Sequence, residues 1–264
     1  MGNVKSINGL AFASMKSRNG LARASIKTIN GLAAPAGVTP FGGAVDVTNL
    51  VAWWPLSEAS GTRVDVHAGL DLTDNNTVTG GNDGVAYSQF TVANSEYLSI
   101  ADNAALSTGN VDFAWCGWVY LDSKTTHRVL AIKGTNLNDT DYEFIVWYRV
   151  TNDMFQFTVS NGTAGASAVA TALGSPSLAT WYFIVCAHNA GLDQLEIQVN
   201  NGTINTTGYS TGSWDSALPF ELGRGGSAGG LHHAGRMRRI GFWKRILTAG
   251  EKTALYGAGA GLDY

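Results

Sequence analysis

From residue 48 onward the chain is a succession of short apolar runs, each closed by Gly, Asn, Ser or Thr. They are Leu50–Leu56, Tyr97–Ile100, Phe113–Leu121, Val129–Lys133, Tyr142–Val150, Met154–Val159, Trp181–Ala187, Gln194–Val199, the neighbourhood of Glu221–Leu222, and Ile240–Trp243. Several alternate in polarity. Leu195, Ile197 and Val199 oppose Gln194, Glu196 and Gln198, the period-2 pattern of a strand with one buried face. Helices do not alternate with these runs, so a parallel α/β sheet is excluded. The expected fold is all-β, a two-sheet antiparallel sandwich. One helix is expected at the end, because Thr248-Ala249-Gly250-Glu251 reads as a capping box, with a stop at Gly257.

The first 36 residues obey a different rule. Residues 4–14 (VKSINGLAFAS), 15–25 (MKSRNGLARAS) and 26–36 (IKTINGLAAPA) are three copies of one 11-residue unit. An 11-residue period also suits a right-handed coiled coil, but Asn and Gly are poor helix residues. Asn-Gly is instead a strong signal for a two-residue hairpin turn. Each copy is therefore read as strand, turn at Asn8-Gly9, Asn19-Gly20 or Asn30-Gly31, and strand. Residues 37–47, rich in Gly and Pro, read as a linker, and 48–264 as the sandwich.

Charge divides the chain at the same place. The five charged residues before Asp46 are all basic: Lys5, Lys16, Arg18, Arg23 and Lys27. The rest carries twelve Lys and Arg against twenty Asp and Glu. A net charge of −3 excludes an ordinary nucleic-acid binder. The absence of an apolar run of membrane-spanning length argues against insertion, and no secretory leader is read at the N-terminus. Only 14% of residues are charged, against about 25% in an average soluble chain, which points to an assembled or extracellular surface. Cys116 and Cys186 both fall in expected buried strands; they read as free thiols, with a disulfide open if the strands are neighbours.

The body resembles the laminin-G-like jelly roll of the concanavalin-A-like superfamily. The resemblance is carried by LVAWWPLSEASGTRVDVHAG (50–69), YLSIADNAALSTGNVDFAWCGWVYL (97–121), WYFIVCAHNAGLDQLEIQVNNGTINT (181–206), and LPFELGRGG with GRMRRIGFWKRILTAGEKTALY (218–256). It covers about residues 48–257. It implies a module for adhesion or glycan binding rather than catalysis. It also raises calcium held by oxygen ligands, with Asp65 the ligand by position. Where the family often places acids, this chain has Arg238 and Arg239, which would repel a cation. No cofactor is therefore expected, and Arg238 is matched with Asp65 as an ion pair instead.

Other constellations are weaker. Asp139, Asp141 and Glu143 alternate at a strand entry, as a glycosidase pair on one strand would, but they sit in a polar loop. His232 and His233 are adjacent and point to opposite faces of a strand. Trp118 and Trp181 are read as core. Trp147, Tyr148, Tyr209 and Trp214 are read as lying at or near loops, where exposed rings stack on sugars or anchor interfaces.

The expected function is that of a non-enzymatic structural protein of a virus particle: a bacteriophage capsid decoration, head fibre or tail-associated component. The arm resembles the N-terminal repeats of some phage structural proteins. Through Lys5, Asn8, Gly9, Lys16, Asn19, Gly20, Lys27, Asn30 and Gly31 it would dock on other virion proteins. The jelly roll would face outward and bind host-surface polysaccharide through Trp147, Tyr148, Tyr209 and Trp214. The protein would be made in the host cytoplasm and reside in the virion as a homo-oligomer, a trimer by analogy with fibres. A secreted or surface carbohydrate-binding module outside any virion is the first alternative, and a glycoside hydrolase the second.

Overall fold

In the computed structural model the described residues are 6–7, 10–11, 17–18, 21–22, 28–29, 32–33, 39–225 and 231–264. The chain divides into two units, residues 1–43 and 44–264. In the first, β1 (Ser6–Ile7) pairs antiparallel with β2 (Leu10–Ala11), β3 (Ser17–Arg18) with β4 (Leu21–Ala22), and β5 (Thr28–Ile29) with β6 (Leu32–Ala33). Each ladder brackets one Asn-Gly pair, matching the strand–turn–strand spacing read from the repeat. The pairs themselves, Asn8-Gly9, Asn19-Gly20 and Asn30-Gly31, lie outside the described residues, as do Lys5, Lys16 and Lys27.

The second unit is the sandwich. Its strands are β7 (Leu50–Trp54), β8 (Thr73–Asn75), β9 (Thr79–Asn82), β10 (Ala86–Phe90), β11 (Tyr97–Ile100), β12 (Phe113–Leu121), β13 (Arg128–Gly134) and β14 (Tyr142–Arg149). They continue with β15 (Met154–Ser160), β16 (Gly165–Val169), β17 (Trp181–Asn189), β18 (Gln194–Val199), β19 (Asn205–Gly208), β20 (Phe220–Leu222) and β21 (Gly235–Trp243). The first sheet runs β19-β18-β17-β12-β21-β10-β9, with β7 also pairing β21; the second runs β16-β15-β14-β13-β20-β11-β8. Every pairing is antiparallel.

The two sheets close on an aromatic core. Phe113 and Phe242 of the first sheet meet Phe144 of the second, with centroids 5.4 and 5.8 Å away, and Trp54 stacks on Phe220 at 5.3 Å. Rings of this size remove much apolar surface from water, and the core is contiguous across both sheets.

The helix forms where its capping residues place it. α1 (Ala249–Tyr256) opens with the Thr248–Glu251 capping box and ends at Gly257, whose φ of 55° suits a residue without a β-carbon. Its Lys252 reaches Glu196 of β18 at 3.4 Å, and Tyr256 stacks on Trp118 at 5.8 Å. The outer face of the first sheet is thus covered at α1, which explains why Glu196 is buried despite its polar side of the alternation; Gln198, also buried, donates to the Gly202 carbonyl at 2.7 Å. The end of the expected linker also belongs here. Val45 is buried, and the Asp46 amide donates to Glu251 at 3.0 Å.

Candidate functional site

Four strands of the first sheet bring aromatic rings and guanidinium groups into cross-strand register beside the helix-covered area. Tyr120 of β12 lies opposite Arg236 of β21 on one side and Trp181 of β17 on the other. One row over, Trp118 lies opposite Arg238 and Phe183. In β10, Ser88 opposite Met237 puts Tyr87 on the Arg238 row. Directly opposed residues share a face, so Tyr87, Tyr120, Trp181, Arg236 and Arg238 project from the same outer surface. Tyr87, Tyr120 and Trp181 are half-buried.

The contacts follow this register. The Arg236 guanidinium lies 4.8 Å from the Tyr87 ring centroid and 4.3 Å from that of Tyr120. The Arg238 guanidinium lies 4.1 Å from the Trp181 ring. Trp181 itself sits 5.4 Å from Tyr120 and 6.0 Å from Tyr87. A guanidinium over a ring face is attracted by the ring quadrupole, so each cation holds a ring in place.

Asp83, in the β9–β10 turn, ties the group together. Its Oδ1 accepts from Arg238 Nη1 at 3.0 Å, its Oδ2 accepts from Trp181 Nε1 at 2.9 Å, and Arg236 Nη1 stands 3.5 Å from Oδ2. Partial burial pushes the Asp83 carboxyl up, but the Trp181 indole, Arg238, the Val85 backbone and Arg236 together outweigh it and hold its pKa below the ordinary carboxylate value. Arg236 also donates from Nε to Gln89 Oε1 at 3.2 Å, and Gln89 donates to Asp122 at 3.0 Å.

A β-bulge in β21 makes this arrangement. Cys116 pairs with Gly241 but Trp118 with Arg238, so Gly117 stands opposite both Arg239 and Ile240. Arg239 takes a φ of 52°, unusual for a residue with a β-carbon. Arg238 and Arg239, although adjacent, then make separate outer contacts. Arg239 pairs with Asp263 at 2.7 Å, while Arg238 turns to Asp83.

A cleft of about 310 Å³ adjoins the same turn, lined by Asn82, Gly84, Val85 and Ala86 on one side and Arg239 and Asp263 on the other. A second, of about 320 Å³, is lined by Ala170, Leu173, Val199, Asn200, Thr203 and their neighbours, with no charge and no ring.

The residues singled out from the sequence lie elsewhere. Trp147 and Tyr148 are not at a loop but inside β14, and both are buried. Trp147 packs with Val129, Ile132, Tyr142 and Ile145, and Tyr148 faces the inter-sheet core. Tyr209 is buried and donates to the Gly212 carbonyl at 2.8 Å. Trp214 is half-buried, with its indole donating to the Tyr142 carbonyl at 2.7 Å. The four do not assemble into one stacking surface. Conversely, Trp181, read as core, is on the outer face, and Trp118 is there too, under Tyr256 and beside the Gly261 backbone.

Asp65 does not fit a calcium ion. Its Oδ1 accepts from the Trp53 and His67 amides and its Oδ2 from the Ala68 and Leu70 amides, at 2.9 to 3.0 Å. Four N–H donors fill the acceptor positions of one carboxylate, and Asp65 acts as the organiser of its loop. Its matching with Arg238 gives way to the Arg238–Asp83 pair. Among the described residues no group of three or more His, Cys, Asp or Glu is placed to hold a metal.

Asp139, Asp141 and Glu143 are parted as well. Asp139 accepts from the Tyr142 hydroxyl, and Asp141 accepts from Asn138. Glu143 is fully buried in a network with Thr108, Ser216 and Lys133. His233 is buried, and burial drives its pKa down to about 3. Cys116 and Cys186 are free and buried in neighbouring strands. Cys116 opposes Val185 and Cys186 opposes Trp115, so the two thiols point to opposite faces of the sheet.

A family model described as the concanavalin A-like lectin/glucanases superfamily, Laminin_G_3, matches residues 92–251, more than half of the chain. The chain belongs to this superfamily. No curated protein matches it significantly. Among solved structures, the binding domain of Paraclostridial Mosquitocidal Protein 1 superposes with a TM-score of 0.62 at 12% identity, over 80% of this chain and 52% of its own. A structure of botulinum neurotoxin type C, whose cell entry is described as dependent on interaction with two ganglioside molecules, gives 0.58 at 11% identity, over 80% and 51%. The Trypanosoma rangeli sialidase in complex with 2,3-difluorosialic acid gives 0.58 at 15% identity, over 82% and 34%. The chain spans about half or less of each, and at these identities the likeness is one of fold. No helix among the described residues is long and apolar enough to cross a membrane.

Proposed function

We propose that the sandwich is a non-enzymatic module that binds surface glycans through the Tyr87–Tyr120–Trp181 face, and that the N-terminal arm anchors it to a virus particle. The observation that carries the first half is three half-buried rings held in register by two arginines and Asp83. Sugar sites combine ring faces for stacking with a few fixed polar groups. Membership in a lectin and glucanase superfamily agrees with this. So does the fold shared with a neurotoxin described as interacting with gangliosides, and with a sialidase solved with a sialic acid derivative.

The second half rests on the arm's repeated ladders and its uniformly basic charge. Strands of two residues cannot build a core of their own, so their natural role is to add to a partner's surface. Protomers of such a particle protein would be arranged as a homo-oligomer. Two experiments test the proposal. A glycan array probed with the full chain is expected to give discrete hits; a blank array at high protein concentration removes the first half. Particles assembled with a chain lacking residues 1–36 are expected to lose the protein; normal incorporation removes the second. Array hits with no particle association would favour the reading as a secreted or surface-displayed adhesion module.

A further inference from the structure

We propose that the Tyr87–Tyr120–Trp181 face takes an uncharged pyranose, stacked on a ring and hydrogen-bonded through a vicinal hydroxyl pair to Asp83 and Arg236. This deepens the glycan-binding reading and rests on it.

The charges of the face decide the class. Arg236 and Arg238 both stand at Asp83, and Arg236 is tied through Gln89 to Asp122. Two guanidinium groups meet two carboxylates, and the patch is neutral as a unit. An anionic sugar would meet no net positive charge here, and could take the Arg238 cation only by displacing Asp83 from it. A neutral ring displaces nothing. Its weakly positive C–H surface suits the electron-rich face of an indole or phenol.

Unused hydrogen-bonding capacity points the same way. A carboxylate has about four acceptor positions. Asp83 spends three on hydrogen bonds from Arg238, Trp181 and the Val85 backbone, while Arg236 stands at ion-pair distance, 3.5 Å, which leaves one. A guanidinium has five N–H donors. Arg236 directs Nε to Gln89 and one Nη1 proton toward Asp83, and its remaining donors stay available beside the Tyr87 and Tyr120 rings. One acceptor next to several donors is the complement of two adjacent hydroxyls, each of which both donates and accepts.

The test is isothermal titration of the full chain with neutral oligosaccharides of glucose, mannose and galactose, and in parallel with sialyllactose and oligogalacturonate, at low and high salt. Neutral sugars are expected to bind with little salt dependence, and Trp181→Ala to weaken them roughly 10-fold or more. Tyr87→Ala and Asp83→Asn are expected to weaken them too, whereas Trp181→Phe, which keeps a ring, retains most of the affinity. Thermal melts and circular dichroism establish that each variant is folded. If the acidic sugars bind and the neutral ones do not, with salt weakening the interaction, the ligand class is overturned and the glycan-binding reading stands. Neutral binding indifferent to all three weakening variants overturns the site. If no sugar of either kind binds, both readings fall together.

Discussion

Gly81 lies directly beneath the ring of Tyr87: a β-carbon at Gly81 would come 2.4 Å from Cζ of that ring. The two residues are cross-strand partners in β9 and β10, so the ring folds back over the space a side chain would fill. Gly81→Ala is expected to push Tyr87 away from Arg236. Glycan affinity should fall several-fold. Stability should change by about 1 kcal/mol or less, below the usual cost of overpacking a closed core, because Tyr87 is half-buried and can swing. Titration and a thermal melt of the same variant check the two numbers. A large loss of stability with unchanged affinity would contradict the expectation.

The fold should soften in acid through Glu251. Burial pushes its carboxyl up, but Arg245, the Thr248 backbone and hydroxyl and the Asp46 amide outweigh this and bring its pKa down to about 2, from an ordinary 4.5. A folded-state pKa below the unfolded one contributes stability that is complete above the unfolded value and disappears as pH falls through the folded one. Melting temperatures are therefore expected to drop between pH 4.5 and about 2. Glu251→Gln should lower stability at neutral pH and flatten that stretch of the curve. A variant curve parallel to the wild type would assign the acid sensitivity to other carboxylates.

Lys133 and Glu143 form the costliest pair to break. Both are fully buried, 3.4 Å apart, with Glu143 also accepting from Thr108 and Ser216, and Lys133 reaching Asp102 at 2.7 Å. Removing one partner leaves the other charge stranded. Lys133→Met is expected to destabilise the sandwich by about 3–5 kcal/mol, read by urea unfolding. The double variant Lys133→Met with Glu143→Gln should recover part of the loss.

Reducing agent should leave the protein unchanged. Cys116 and Cys186 face opposite sides of their sheet, and burial pushes both thiols well above their ordinary range. Melting curves with and without dithiothreitol are expected to coincide, and thiol reagents to label the protein only on unfolding. Rapid labelling of the native chain would show that the first sheet opens far more readily than its packing implies.

The apolar strands β12, β14, β17 and β18 were legible because their side chains carry the pattern that burial demands. The helix was legible because a capping box is local. Strands β9, β10, β16 and β19 were not. Their residues, such as Thr79–Asn82 and Asn205–Gly208, are small or polar and pair at or near sheet edges, where no apolar alternation is required. The aromatic and arginine face proposed as the binding site was missed for a related reason. Tyr87, Tyr120, Trp181 and Arg236 come from four segments, and only strand register brings them together. Nor does an aromatic strand reveal which face is outermost when a helix covers part of the outer side, as α1 does over Trp118. The signal that was present lay in the arginines of β21: Arg238 and Arg239 were read as an obstacle to a cation, and neither Arg236 nor Arg238 as a partner for nearby rings.

The extra residue in β21 sets the phase of everything after it. Upstream, Met237 points inward and Arg238 outward; downstream, Ile240 and Phe242 point inward and Gly241 outward. Were Arg239 drawn into the ladder opposite Gly117 instead of standing outside it, the downstream half would slide by one step, offering Gly241 to the core in place of Ile240 and Phe242. A single position outside the pairing thus keeps the interior and the arginine-bearing outer side of this strand in step, and closing the bulge without removing a residue would damage both at once.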